Sequence, residues 1–421
     1  MRNATSETLP PTRTIAGSSS VSHLKFRIAT FLRISHLGFR ISVSLLLLQA
    51  LQVISPPTAT AEPYIAVMEG LPCSACHVNM NGGGKRTALV DTHARELLHY
   101  PKQLPGPLGP LSKPPEYFTG DINQYLGLGA DLRTSYTARF QDKPNQQGLV
   151  DNNQVFRGRF ESNDIDVDPF FYTEVRLIPD YLTFYADLDL SDNVDDREVF
   201  GLLRGVLPWN GYIKAGRMFL PYGLQLQDDA AFIRQDTYNF NIREPAFEIG
   251  FEPGPFTLIA AVSEGGSGDR DVRVTTTAYA MLTKLPLVRN AIIGNSFSRV
   301  GTSNGDRVLF GFFGGTNLER FTVLVEGDWI DNAGKGTFAG YAEGDYLFFD
   351  WLNFKATFDY SDNDTTTGTI TDDSKNRVTF GLEPFLNRFL QLRLFYRIAN
   401  GVESIPQRNQ NQVYAEVHVF F

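Results

Sequence analysis

Leu182-Thr183-Phe184-Tyr185-Ala186-Asp187-Leu188-Asp189-Leu190 alternates without a break: Leu182, Phe184, Ala186, Leu188 and Leu190 make one face, and Thr183, Tyr185, Asp187 and Asp189 make the other. A period of two, apolar against polar, is the pattern of a β-strand with two different surroundings. It recurs from about Tyr125 to the end of the chain. Phe354, Ala356, Phe358 and Tyr360 alternate with Asn353, Lys355, Thr357 and Asp359, and Leu392, Leu394 and Tyr396 alternate with Gln391, Arg393 and Arg397.

A globular sandwich would alternate as well, so the connections decide. The turns near Pro179-Asp180, Trp209-Asn210, Pro253-Gly254-Pro255, Leu285-Pro286, Asn317-Leu318, Phe349-Asp350 and Leu386-Asn387 are short and comparatively apolar. The connections between them, such as 141–168, 221–243, 264–270, 361–374 and 400–411, are polar, often long, and rich in Asp, Asn, Gly and Thr. Strict alternation of tight turns with long polar loops is the periplasmic-turn, extracellular-loop pattern of outer-membrane barrels. The fold class is therefore all-β: a transmembrane antiparallel β-barrel of about sixteen strands, with 154–161 placed in the first outer loop. Lys214, Arg393, Arg397, Glu326 and Asp328 fall on the lumen face.

Composition agrees. Aromatic residues make up 13% of the 421, with 33 Phe, 17 Tyr and 37 Gly, as aromatic girdles and repeated turns require. A net charge of −9 argues against nucleic acid as a partner. The last strand carries Val413, Ala415, Val417, Val419 and Phe421 on its apolar face, resembling the C-terminal strand that bacterial barrel-assembly machinery recognises.

Residues 1–61 read as an export leader. Lys25, Arg27, Arg33 and Arg40 precede the apolar run 41–54, and Ala59-Thr60-Ala61 offers an A-x-A cleavage site. No later stretch supplies the roughly 18 to 20 continuous apolar residues of a spanning helix, which leaves a barrel as the membrane-crossing form. Residues 62–116 form a separate segment with a proline-rich linker, and 117–421 form the barrel.

The only two cysteines lie in Leu71-Pro72-Cys73-Ser74-Ala75-Cys76-His77, the C-x-x-C-H spacing of c-type haem attachment. Two thiols three positions apart can add to the two vinyl groups of one haem, while the adjoining His77 reaches the iron from the proximal side. The other readings are a thioredoxin-type redox pair, a structural disulfide or half of a zinc site. After the glycine-rich loop Gly82-Gly83-Gly84, residues 85–100 read as a helix. On it His93 shares a side with Leu89, Val90, Leu97 and Tyr100. His93 is accordingly the candidate distal ligand, with Met80, His99, Met68, Lys85 or an open position as alternatives.

Taken together, Cys73-Ser74-Ala75-Cys76-His77-Val78-Asn79, the three glycines, the proline-rich linker, the run Gly216-Arg217-Met218-Phe219-Leu220-Pro221-Tyr222-Gly223-Leu224 and the strand-rich remainder resemble the fused monohaem cytochrome-porin family of bacterial outer membranes. Studied members of that family oxidise ferrous iron. The resemblance spans the chain after the leader, and it departs where Met80-Asn81 stands in place of the Pro-Thr frequent in that family. It implies one covalent haem c in the barrel lumen or on its periplasmic side. It also implies an extracellular electron donor such as ferrous iron, and a soluble periplasmic cytochrome as acceptor. Any enzymatic activity would be that of an electron-transfer oxidoreductase. Two other functions compete with this conduit: a diffusion porin for small solutes with an appended haem segment, and a haem enzyme such as a peroxidase or a nitrogen-oxide reductase.

Overall fold

The structure is a computed structural model that describes residues 62–102, 106, 109, 120–141, 159–190, 195–226, 228, 231–237, 243–265, 272–302, 305–362, 374–401 and 410–421. The leader 1–61 and most of the proline-rich stretch lie outside the described residues. Among the described residues no helix is long and apolar enough to cross a membrane.

Sixteen strands form one closed barrel in which each pairs with its neighbours in sequence. They are β1 (Leu126–Gln141), β2 (Arg159–Ile178), β3 (Leu182–Asp189), β4 (Asp195–Leu207), β5 (Gly211–Met218) and β6 (Glu244–Phe251). These are followed by β7 (Phe256–Ser263), β8 (Arg273–Thr283), β9 (Asn290–Thr302), β10 (Gly305–Leu318) and β11 (Phe321–Asn332). The last five are β12 (Lys335–Phe349), β13 (Leu352–Asp362), β14 (Ser374–Asn387), β15 (Leu390–Asn400) and β16 (Gln410–Phe420). β1 closes the ring against β16, in register from Asp131 opposite Phe420 to Gln141 opposite Gln410. Closure leaves no edge with unpaired backbone groups.

The barrel is apolar outside and polar inside, the reverse of a soluble protein. On β3, Phe184 is 50% exposed while Thr183 and Asp187 are buried; on β13, Phe358 is exposed while Lys355 and Asp359 are buried. The outward Trp329, Phe312 and Ile293 belong to the same apolar belt. The five side chains assigned to the lumen, Lys214, Arg393, Arg397, Glu326 and Asp328, are all buried.

What buries them is partly the chain's own N-terminal segment, which packs inside the ring as three short helices: α1 (Pro63–Glu69), α2 (Cys73–Cys76) and α3 (Ala88–Leu98). Proline opens α1, where its missing N–H costs nothing, and Gly70 ends it against Thr283 and Asn290 of the wall. Tyr64, Ile65 and Met68 of α1 and Leu98 of α3 share one buried cluster with Leu324, Tyr341 and Phe385 of the wall. Polar contacts fix the same docking. Lys355 Nζ donates to Glu62 at 2.8 Å, and Asn290 Nδ2 donates to the Met68 carbonyl at 2.7 Å.

Three expectations change. Residues 159–168, expected within the outer loop 141–168, are instead the start of β2, a 20-residue strand whose Arg159 pairs with Gln141, so the two long strands extend one hairpin and the count stays even. Much of 221–243, expected as a polar outer loop, turns inward. Tyr222, Leu224, Leu226, Ala231 and Phe232 are buried, and a π-helical turn (Ile233–Thr237) follows, because these apolar side chains find burial in the lumen that solvent would deny them. The helix expected over 85–100 is shorter, since Lys85 and Arg86 pair back to the cysteine loop through Val78 N to the Lys85 carbonyl (3.0 Å) and a His77–Arg86 bridge.

Candidate functional site

Local backbone geometry presents the cysteines. α2 is a single turn, closed by His77 N–H donating to the Cys73 carbonyl at 3.1 Å. Thr87 clamps it from the other strand of the loop, its N–H bonding the Cys76 carbonyl (2.9 Å) and its hydroxyl the Ala75 carbonyl (2.8 Å). The loop after His77 is then pinned to the wall residue by residue. Asn79 donates to Glu198 at 2.8 Å and accepts from Lys214 at 3.1 Å; Asn81 donates to Glu248 at 2.8 Å. Lys85 N–H donates to the Tyr185 hydroxyl at 3.0 Å, and Lys85 Nζ lies 3.2 Å from Asp121 and 3.5 Å from Glu174. Gly84 is required: its φ is +66°, and a Cβ there would sit 2.0 Å from the Tyr185 hydroxyl oxygen.

Cys73, Cys76 and His77 all line one cavity, whose surface is largely apolar. Its floor is α1 (Pro63, Ala66, Val67), its wall is Ile259, Tyr279, Met281, Ile292 and Phe313, and its roof is the inward run Pro221 to Gln225. Met80 lines it as well. A second cavity meets the first at His77, Gly82, Gly83 and Gln225, and is polar, with Arg86, Arg133, Arg234 and Asp131 on its surface.

The electrostatics around the motif are governed by burial. Burial, with Glu252 nearby, pushes the Cys73 thiol up to about 11, and burial raises Cys76 further. A thioredoxin-type nucleophile needs the opposite shift. The two cysteines are not joined, and among the described residues no group of three or more His, Cys, Asp or Glu is placed to hold a metal ion. His77 is 3% exposed, and burial, then Arg86, lowers it to about 4. It is thus neutral, as an imidazole ligand must be. Its Nδ1 is buried with no hydrogen-bond partner among the described residues.

His93 is not brought to this cavity. The helix breaks at that residue (φ −114°, ψ 23°), so the wheel's phase does not carry through it, and His93 Nδ1 instead lies 3.3 Å from the Leu89 carbonyl. His99 turns away too, its Nε2 3.4 Å from Glu69. Sequence reasoning missed the cavity's roof and wall. Pro221 to Leu224 had been singled out as a distinctive run, but nothing in its spacing indicates that it folds inward to meet the cysteines.

No protein-family model and no curated protein sequence matches the chain. Solved structures do. The chain is similar to OprB of Pseudomonas putida (8% identity, 71% of this chain and 94% of that one, TM-score 0.54). It is similar to OmpF of Salmonella typhi, solved with daunomycin (10% identity, 72% and 99%, TM-score 0.52). The trimeric form of in-vitro folded OmpT, an outer-membrane protein of Vibrio cholerae, gives 12% identity, 70% and 99%, and a TM-score of 0.52. At such identities the likeness is one of architecture, and the chain has the closed sixteen-stranded antiparallel barrel fold of the porins.

Proposed function

We propose that the chain is a bacterial outer-membrane barrel of porin type that holds one covalent haem c in its lumen and moves electrons across the membrane. One observation carries this: both thiols and a neutral, buried imidazole face a single largely apolar cavity inside the ring. Cys73 and Cys76 would hold the group by thioether bonds and His77 would bind its iron. The group supplies one-electron transfer when bound. The chain supplies the rest: the loop 79–85 fixes the attachment site to the wall through Glu198, Lys214, Glu248 and Tyr185. Arg86 and Arg234 line the adjoining polar cavity, and the outward apolar belt meets lipid. The partners on this reading are an extracellular donor, with ferrous iron as the first candidate, and a soluble periplasmic cytochrome.

The porin likeness also favours a second reading, a diffusion channel for small solutes with an appended haem segment. The packing of α1 to α3 into the lumen weighs against it, since a filled lumen conducts poorly. One experiment separates the two. Vesicles carrying the protein, with oxidised soluble cytochrome sealed inside, are given ferrous iron outside only. The conduit reduces the cytochrome and His77→Ala stops it; equal rates in the variant show iron leaking through an open pore, and the diffusion channel replaces the conduit.

A further inference from the structure

The cavity contains a second kind of sulfur. Met281 is 7% exposed and points inward from β8, lining the same space as Cys73, Cys76 and His77. Alternate residues of a strand share a face, so Tyr279, Met281 and Thr283 stand in a row on the lumen side. Both outer members of that row touch the segment that carries the cysteines: the Tyr279 hydroxyl lies against the Cys73 backbone, and Thr283 is so close to Gly70 that a Cβ there would sit 2.7 Å from its methyl group. Met281 is held between those two contacts.

Other donors in the cavity are engaged or badly placed. The Tyr222 hydroxyl donates to Asp328 at 3.2 Å, and Gln225 Nε2 donates to the Tyr222 carbonyl at 3.3 Å. Met80 follows His77 by three residues, a span of at most about 11 Å of extended chain, too short to round a macrocycle and return to its far face. It also packs on the other side of the lumen, with Tyr172, Tyr185 and Phe200, whereas Met281 clusters with Leu224, Phe313 and Ile292.

Resting on the haem c reading, we propose that Met281 is the distal axial ligand, a thioether supplied by the barrel wall rather than by the segment that bears the cysteines. Such a bond ties the lumenal segment to β8, and His/Met ligation raises the reduction potential above that of a His/His haem.

The test uses the full chain purified with its haem. The unmutated ferric protein is expected to be low-spin with the absorption band of methionine-to-iron ligation. Met281→Leu, which keeps the side-chain volume, is expected to abolish that band, turn the haem high-spin and lower the potential. Met281→His is expected to restore the low-spin state without the band, at a potential below that of the unmutated protein. Met80→Leu and His93→Ala are expected to leave the band unchanged. Persistence of the band in Met281→Leu, its absence from the unmutated protein, or its loss in either control overturns the assignment. Gel migration before and after boiling confirms the barrel in each variant. A chain with no covalent haem fails the function proposed above, and this inference with it; a haem that is attached but lacks the band fails this inference alone.

Discussion

Replacing Lys355 with methionine should release the N-terminal end of the lumenal segment. Its ammonium group lies 2.8 Å from Glu62, 3.3 Å from Glu383, 3.6 Å from Glu343 and 3.9 Å from Asp345, on a side chain 8% exposed. Removing one partner of a buried ion pair costs about 3 to 5 kcal/mol, because the remaining charges stay desolvated and uncompensated. Burial opposes the ionisation of Glu62, yet Lys355 and Arg393 outweigh that and bring its carboxyl from 4.5 to about 2. The ion-pair cost places the change in docking equilibrium at about a hundredfold to a few thousandfold.

The assay is single-channel conductance in planar bilayers, paired with limited proteolysis at 62–70. The unmutated protein should conduct poorly and resist cleavage; Lys355→Met should conduct more and be cut. Acid should act through the same contact. A depressed carboxyl adds stability that is complete above the unfolded value of 4.5 and is lost as pH falls from 4.5 towards about 2. The unmutated lumen should therefore open over that window, and Glu62→Gln should lack this step. Unchanged conductance and unchanged protection in Lys355→Met would show that the Glu62–Lys355 contact does not hold the segment.

Other expectations are more local. Cys73→Ala with Cys76→Ala should abolish haem staining of the denatured protein on a gel, and surviving stain would refute covalent attachment. Gly84→Ala should lower haem retention and thermal stability by the left-handed backbone cost of about 1 to 2 kcal/mol plus displacement of Tyr185. Gly83→Ala (φ +76°), with nothing within 4 Å of its Cβ, should show only the backbone cost; equal effects in calorimetry would rule out the Tyr185 contact. The protein should fractionate with the outer membrane and migrate differently before and after boiling. A tag inserted within 363–373, between β13 and β14, should be labelled on intact cells, and labelling only after lysis would reverse the barrel's orientation.

The strands were legible because their cause is local. Each residue of the stretch 182–190 needs only to know which side of the sheet it faces, and lipid outside with water and charge inside imposes a strict period of two. The tight turns were equally readable, and the motif of Cys73, Cys76 and His77 is local too, its residues being neighbours in the chain. Tertiary structure alone decided what fills the ring. Lys355 and Arg393 read simply as residues on the polar faces of their strands, and only docking gives them Glu62 as a partner, 293 residues from Lys355 in sequence. The helical wheel for His93 assumed a regular helix, and the helix breaks at that residue with no proline or glycine in Ala88–Leu98 for the sequence to reveal it. The roof of the cavity depended on burial offered from elsewhere: Tyr222 and Leu224 lie in a stretch that also carries polar residues, and the opposite wall supplies Asp328 to the Tyr222 hydroxyl, Ser296 to the Gly223 N–H and Glu326 to the Leu224 N–H. Periodicity records the medium on each side of a strand; it carries no information about which distant side chains close over a site, because that is set by the sum of contacts across the ring.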